Sequence, residues 1–359
     1  MADSKQAQLD AAAAAKAAFA SVQDKPFPND IFTAPEFRWA VIGCGVIANQ
    51  MAQSLALAGR KLTGVANRTL TKAQTFADQY GVEKVYDTVE DLYADPDIDA
   101  VYITTPHNTH ITYLRAALAA GKHVLCEKAI TLNSAELDEA RAIAAEHNVV
   151  LMDATTVLHM PLYQELRRRM DAGEFGRMNL AQLNFGSYKE YGDLTNRFYN
   201  RNLAGGAMLD IGVYALSVMR LFMASQPVEV VSLGNTCETG VDVAGGIVCR
   251  NAEQQLGVVS LTLHSKQPKR SVISFDNCYV EVNEYPRADH ATIVWTADGH
   301  REEVAAGTEA YALCYEMADL EQAVAGDDSK RELLDYASDV MELMTKLRAD
   351  WGVVYPEEE

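Results

Sequence analysis

A chain of 359 residues exceeds what one hydrophobic core usually organises, so it reads as two domains, and 48% apolar with 23% charged residues is an ordinary globular composition. The formal net charge of −19 argues against an extended nucleic-acid or anionic-membrane surface, because the attraction to phosphate that dominates such binding would be reversed. Cys44, Cys126, Cys237, Cys249, Cys278 and Cys314 lie scattered without Cys-x-x-Cys spacing, which reads as reduced cytoplasmic thiols, and no run of about 18 uninterrupted apolar residues marks a membrane span.

Residues 1–36 read as an alanine-rich arm. Ala18-Phe19-Ala20 has the small-x-small form of a secretory cleavage site, but Asp10 and Lys16 interrupt the apolar run and Asp3 cancels Lys5 ahead of it. A helical or mobile arm ending at KPFPND and Pro35 is expected instead. From 37 to 155, strand-like runs (RWAVIG, KLTGVAN, KVYD, DAVYITTP, HVLCEK, VVLMDAT) alternate with helical patterns (VIANQMAQSLALAG, TLTKAQTFADQYG, TVEDLYADP, NTHITYLRAALAAG, NSAELDEARAIAAEHN). This alternation predicts an α/β domain of Rossmann type, with a doubly wound parallel sheet and ligands at the carboxyl ends of its strands.

Residues 156–359 follow another pattern. Helix-like LYQELRRRMDAGEFG and strand-like NLAQLNFGSY lead into a loop rich in Asn, Tyr and Arg, then helix-like MLDIGVYALSVMRLFMA. Alternating segments fill Val228 to Val304, and helices from about Tyr311 to Leu347 close the chain. The expectation is a second α/β domain with an open, mainly antiparallel sheet of hairpins and meanders.

The junction FRWAVIGCGVIANQMAQSL contains Gly43-Cys44-Gly45-Val46-Ile47-Ala48, the alanine-ended form of a dinucleotide fingerprint. Gly43 permits the turn, Gly45 lets a pyrophosphate approach the backbone, and Ala48 brings the helix close to the strand, while the helix N-terminus offers amide donors. The acidic residue that usually holds the adenine ribose lies about 20 residues on. Asn67 stands there, with Arg68 beside it. A neutral Asn lacks the repulsion an Asp would exert on a 2′-phosphate, and Arg68 can neutralise that phosphate, so NADP is expected over NAD.

The string AVYITTPHNTHITYLRAALAAGKHVLCEKAI, followed by AGGAMLDIGVYAL, resembles the glucose-fructose oxidoreductase, inositol dehydrogenase and MocA (Gfo/Idh/MocA) family. Its Tyr-bearing branch, with dimeric dihydrodiol dehydrogenases and NADP-dependent xylose dehydrogenases, is the more similar. The resemblance implies a dinucleotide domain, then an α/β substrate domain whose open sheet often forms the oligomer contact, as a homodimer or homotetramer. It assigns Lys128 of the Glu127-Lys128 turn to the nicotinamide and substrate, and matches Asp210, Gly212 and Tyr214 to the family's Asp-x-Gly-x-x-His/Tyr helix. Ala129 replaces the usual proline after the lysine. That weighs against a cis bond there, since a non-proline cis peptide costs about 3 kcal/mol.

Beside the resemblance stands a physical reading. Asp210 and Tyr214, four apart on a helix, project from one face, and Lys128 follows a strand at the carboxyl edge of the sheet. Hydride transfer at a carbon-oxygen centre leaves one proton to move. Tyrosine's reference pKa of about 10 is too high for ready exchange near neutrality, and a neighbouring ammonium favours phenolate. Tyr214 is therefore the expected acid/base, with Lys128 lowering its pKa and polarising the substrate oxygen, and Asp210 orienting Lys128. Thr105, Pro106, His107, His110 and Glu127 should border the cofactor, and Tyr188, Arg197 and Arg201 are candidate substrate contacts from the loop.

No metal site and no Gly-x-Ser-x-Gly hydrolase elbow is read. The expected activity is NADP-dependent oxidation or reduction of a sugar, cyclic polyol or dihydrodiol. Two alternatives remain: a catalytically silent NADP-binding sensor or scaffold, and a sugar-sugar oxidoreductase with a permanently held cofactor.

Overall fold

The computed structural model describes residues 31–359, so the alanine-rich stretch and its cleavage-like tripeptide lie outside the described residues. Contacts divide the described chain into two units. One comprises 31–130, Glu136–Ala154 and Glu309–Leu334; the other comprises Thr131–Ala135, Thr155–Thr308 and Asp335–Glu359.

The first unit is built by strict alternation: β1 (Trp39–Ile42), α1 (Val46–Leu57), β2 (Gly64–Ala66), α2 (Leu70–Tyr80), β3 (Lys84–Tyr86), α3 (Val89–Ala94), β4 (Ala100–Ile103), α4 (His110–Ala119), β5 (His123–Cys126), α5 (Ser134–Glu146) and β6 (Leu151–Asp153). The strands form one parallel sheet in the order β3-β2-β1-β4-β5-β6. Trp39–Ile42 and Ala100–Ile103 are buried along their whole length, as strands covered on both faces must be. Ala48, Met51, Ala52 and Leu55 supply the buried stripe of α1. Gly81 ends α2 in the left-handed conformation, and the Thr88 hydroxyl accepts the Asp91 N–H to start α3. The order reverses between β1 and β4, the switch point at which such sheets bind ligands.

The second unit contains α6 (Pro161–Asp171), β7 (Met178–Gly186), α7 (Val213–Phe222), β8 (Pro227–Thr236), β9 (Asp242–Asn251), β10 (Leu256–Thr262), β11 (Gln267–Phe275), β12 (Cys278–Asn283), β13 (His290–Trp295) and β14 (Arg301–Ala305). Its sheet runs β14-β13-β12-β11-β7-β10-β9-β8. Every pairing is antiparallel except β7 with β10. α7 packs on β7, β10 and β11, with Leu216, Val218, Met219 and Phe222 buried there. Among the described residues, the helical run Arg201–Phe222 is long and apolar enough to cross a membrane, but 78% of its apolar window is buried inside this core.

At the C-terminus come α8 (Ala312–Ala325), α9 (Asp328–Arg331) and α10 (Leu333–Asp350). α8 belongs to the first unit, whereas the sequence pattern groups it with the second. The physical reason is a buried carboxylate: Glu321 on α8 accepts the Trp39 indole N–H at 2.9 Å and pairs with Arg60 at 2.7 Å. Both partners lie far back in the sequence.

Candidate functional site

At the end of β1, Gly43 adopts φ +104° and its N–H donates to Ala66 O at 2.9 Å. A Cβ there would sit 2.7 Å from Thr104 Oγ1. Gly45 is the N-cap of α1, with extended φ −79° and ψ −170° and no side-chain cap. Among the described residues, nothing beyond its chain neighbours lies within 4 Å of where its Cβ would be. The first amides of α1, without a side-chain cap, form the positive end of the helix dipole. Cys44 is half-buried, and burial pushes its thiol up to about 11. Val46 is 42% exposed and Ile47 half-buried, while Ala48 is sealed against the sheet. Just beyond β2, Asn67 Nδ2 donates to Thr69 O at 2.9 Å. Arg68 beside it is exposed, without an ion-pair or hydrogen-bond partner among the described residues.

Past β4, Thr105 and Pro106 lead into a 3-10 turn, His107–Thr109. His107 stacks edge-on against His110, with ring centroids 5.8 Å apart. His110 is fully buried, its Nε2 2.8 Å from Thr105 O and its Nδ1 2.9 Å from Ala129 O. Burial pushes its pKa down while the carbonyls at its two ring nitrogens pull it up, and the ring bridges the β4 loop and the turn after β5. In that turn Glu127 is buried and accepts a very short hydrogen bond from the Tyr102 hydroxyl, which rises from the middle of β4. Glu127 Oε2 also accepts the Lys128 N–H at 3.3 Å. The Lys128–Ala129 peptide is cis, contrary to the expectation drawn from alanine in place of proline. Lys128 is half-buried.

In the second unit Asp210 lies in a π turn, Met208–Gly212, that runs directly into α7, which bears Tyr214. The sequence predicts an ordinary α-helix here. The wider i→i+5 turn brings a residue four positions on to slightly less than one full revolution, so Asp210 and Tyr214 still share a side; single π turns recur at functional sites. The Tyr214 ring leans on Phe185 of β7, with centroids 6.1 Å apart. Arg197 Nη2 is 3.4 Å from Asp210 Oδ1, and its guanidinium lies over Phe198. Tyr188 is 60% exposed. Arg201, a candidate substrate contact by sequence, instead spends its guanidinium on Val354 O and the Glu359 carboxylate.

Residues 37–155 match the model of the oxidoreductase family with an NAD-binding Rossmann fold, and 163–281 match the Gfo/Idh/MocA C-terminal domain. A trans-1,2-dihydrobenzene-1,2-diol dehydrogenase of Mus musculus is 32% identical over 243 residues, which are 66% of this chain and 72% of that one. This chain belongs to the Gfo/Idh/MocA oxidoreductase family. The corresponding dehydrogenase of Xenopus laevis is 27% identical over 332 residues, covering 89% of this chain and 99% of its own. Among solved structures, a 3-ketoreductase from Actinomadura kijaniata in complex with NADP and TDP-benzene superposes with a TM-score of 0.74 at 25% identity, covering 87% of this chain and 97% of that one. The aldose-aldose oxidoreductase of Caulobacter crescentus, complexed with glycerol, shares the fold with a TM-score of 0.76 at 21% identity, covering 87% and 96% of the two chains.

The residues present fit the dinucleotide that the family's first domain implies. The open backbone at Gly45, the uncapped helix N-terminus behind it and the exposed guanidinium of Arg68 suit its phosphates. No group of three or more His, Cys, Asp or Glu suited to a metal gathers among the described residues. Sequence reasoning overlooked the residues behind the site: Tyr102 under Glu127, and Asp242, whose Oδ2 accepts the Met208 N–H at 2.6 Å where the π turn begins. The unbroken apolar run AVYI marks Tyr102 only as a core strand position, and Asp242 gives no signal until the fold brings it under Met208.

Proposed function

We propose that this chain is an NADP-dependent oxidoreductase acting on a CH–OH or C=O centre of a sugar, cyclic polyol or dihydrodiol. The observation that carries the reading is the π turn, from which Asp210 and Tyr214 issue together on one side of a helix. Gly43, Cys44, Gly45, Val46 and Ile47 would hold the pyrophosphate, with Asn67 and Arg68 at the adenine ribose. Thr105, Pro106, His107, His110, Glu127 and Lys128 would border the other end. When bound, the nicotinamide supplies or accepts the hydride. Tyr214 gives or takes the proton at the substrate oxygen. Lys128 polarises that oxygen and stabilises the phenolate, while Asp210 orients Lys128. Tyr188 and Arg197 are the loop groups that select the substrate.

A rate panel of aldoses, inositols and dihydrodiols, followed by NADPH absorbance, tests the reading. Tyr214→Phe is expected to lower kcat by about 10²–10⁴ with NADP affinity retained. Full turnover in that variant refutes the assignment, and binding without turnover across the panel favours the silent sensor. Arg68→Ala should raise KM for NADP much more than for NAD; equal effects remove the 2′-phosphate role.

The same reading places the enzyme in the cytoplasm, on its unpaired cysteines, and as a homo-oligomer through the second sheet. Val231 and Leu233 on β8 are 76% and 84% exposed, and Val248, opposite Val231 on β9, is 46% exposed. The opposite side of these strands is covered by Trp351, whose indole N–H reaches Ser232 Oγ at 3.0 Å. An apolar strip on an otherwise acidic protein suits a second copy of itself.

A further inference from the structure

We infer that the C-terminal segment Tyr355–Glu359, bolted down by Arg348, is a positioning device for the reaction proposed above, on which this inference rests. Arg348 on α10 is only 2% exposed. Its Nη2 donates to Leu132 O at 2.6 Å and to Glu358 Oε1 at 2.7 Å, and its Nη1 donates to Glu358 Oε2 at 2.9 Å. The same carboxylate accepts the Asn133 side-chain amide at 3.0 Å and the Tyr355 N–H at 3.0 Å. Leu132 and Asn133 closely follow Lys128 in the chain.

From this hub the segment continues to the approach to the π turn. Tyr355 is fully buried and its hydroxyl donates to Gly205 O at 2.7 Å. Arg201 Nε donates to Val354 O at 2.7 Å, and its Nη2 meets the Glu359 carboxylate. Gly205 and Gly206 lead directly into the π turn with Asp210, and Asp242 holds the turn's first amide. A Cβ at Gly206 would collide with the Asp242 carboxylate.

At each end one backbone carbonyl is gripped, Leu132 O and Gly205 O, beside one side chain, Asn133 or Arg201. The contacts therefore fix where two chain segments lie, not how one side chain is presented. A buried Arg–carboxylate pair adds little net stability over apolar residues of equal volume, and its best-attested use is to set register. Here the segments held, Leu132–Asn133 and the approach to Asp210 and Tyr214, both belong to the second unit.

The test uses the full-length chain and whichever substrate gives the best rate in the panel. Tyr355→Phe keeps the ring and removes one hydroxyl; Glu358→Gln keeps the shape and removes the charge. Each is expected to lower kcat about tenfold or more, with the NADP dissociation constant and substrate KM within about twofold of wild type. The double variant should lose little beyond the larger single loss, because both act through one link. If Glu358→Gln fails to fold, Tyr355→Phe alone decides. Wild-type kcat in Tyr355→Phe, alongside collapse in Tyr214→Phe, overturns the positioning role and leaves the mechanism standing. A raised KM at unchanged kcat also overturns it, by showing a substrate-binding effect. Full turnover in Tyr214→Phe overturns the mechanism and this inference together.

Discussion

Two glycines one residue apart should fail in opposite ways when each gains a methyl group. Gly43 has φ +104°, and its added Cβ would press within 2.7 Å of Thr104 Oγ1 and 3.1 Å of Thr104 O. Backbone strain and overpacking together should cost roughly 2–5 kcal/mol in Gly43→Ala, lowering the midpoint of thermal unfolding by about 5 °C or more. Gly45 has φ −79° and ψ −170°, a conformation alanine adopts freely, and among the described residues nothing beyond its chain neighbours lies within 4 Å of its Cβ position. Gly45→Ala should therefore change stability by less than about 1 kcal/mol, the gain through the unfolded chain being offset by alanine's poorer fit at an N-cap. Its space is nevertheless the space a pyrophosphate needs, so NADP affinity should fall at least tenfold, about 1.4 kcal/mol. Differential scanning fluorimetry without cofactor gives the stability arm, and NADPH fluorescence titration gives the binding arm. A Gly45→Ala protein that binds NADPH as tightly as wild type would refute the assignment of this turn. An unfolded Gly45→Ala protein would refute the geometric argument.

Three further outcomes follow from groups behind the site. His110→Ala removes a fully buried ring that ties Thr105 O to Ala129 O; a loss of roughly 3 kcal/mol in urea unfolding is expected, with kcat reduced because Ala129 follows Lys128, and a loss below about 1 kcal/mol would show that the tie is not made. Burial raises the Asp242 carboxyl to about 6, above its unfolded value of about 3.9. The folded protein therefore holds that proton more tightly, and the resulting stabilisation, present below about pH 4, is lost as pH rises through 6. Relative to Asp242→Asn, wild type should lose about 2 kcal/mol between pH 4 and 7, and parallel stability curves would refute this. Val231→Glu with Leu233→Glu should leave the fold intact and halve the mass in multi-angle light scattering; an unchanged mass removes this sheet face from the interface.

Much of the first sheet was legible because its rules are local. Strands buried on both faces must be short apolar runs, and helices crossing between them must show a stripe and a stop, as Ala48, Met51 and Leu55 and then Gly81 do. β14 was hidden because one of its inward positions carries Glu302, paired with Arg169, where an apolar residue would have marked the strand. The parallel pairing of β7 with β10 was equally hidden, since hairpin signals speak only for neighbours in sequence.

The site divides along the same line. Gly43 and Gly45 announce themselves through the spacing of a dinucleotide fingerprint, and Lys128, Asp210 and Tyr214 stand out as candidates through their match to a family's motifs. Their supports do not, because a carbonyl such as Ala129 O or Gly205 O can be gripped by any donor the fold delivers: His110 in one case, Tyr355 in the other. Arg201 shows the cost of reading charge without topology: its loop position suggests a substrate contact, yet its guanidinium is engaged by Val354 and Glu359 from the far end of the chain. An arginine in a polar loop is thus evidence for a ligand only once the carboxylates the fold brings to it have been counted. By that measure Arg68, exposed beside the dinucleotide turn with no such carboxylate among the described residues, is the stronger anion-binding candidate.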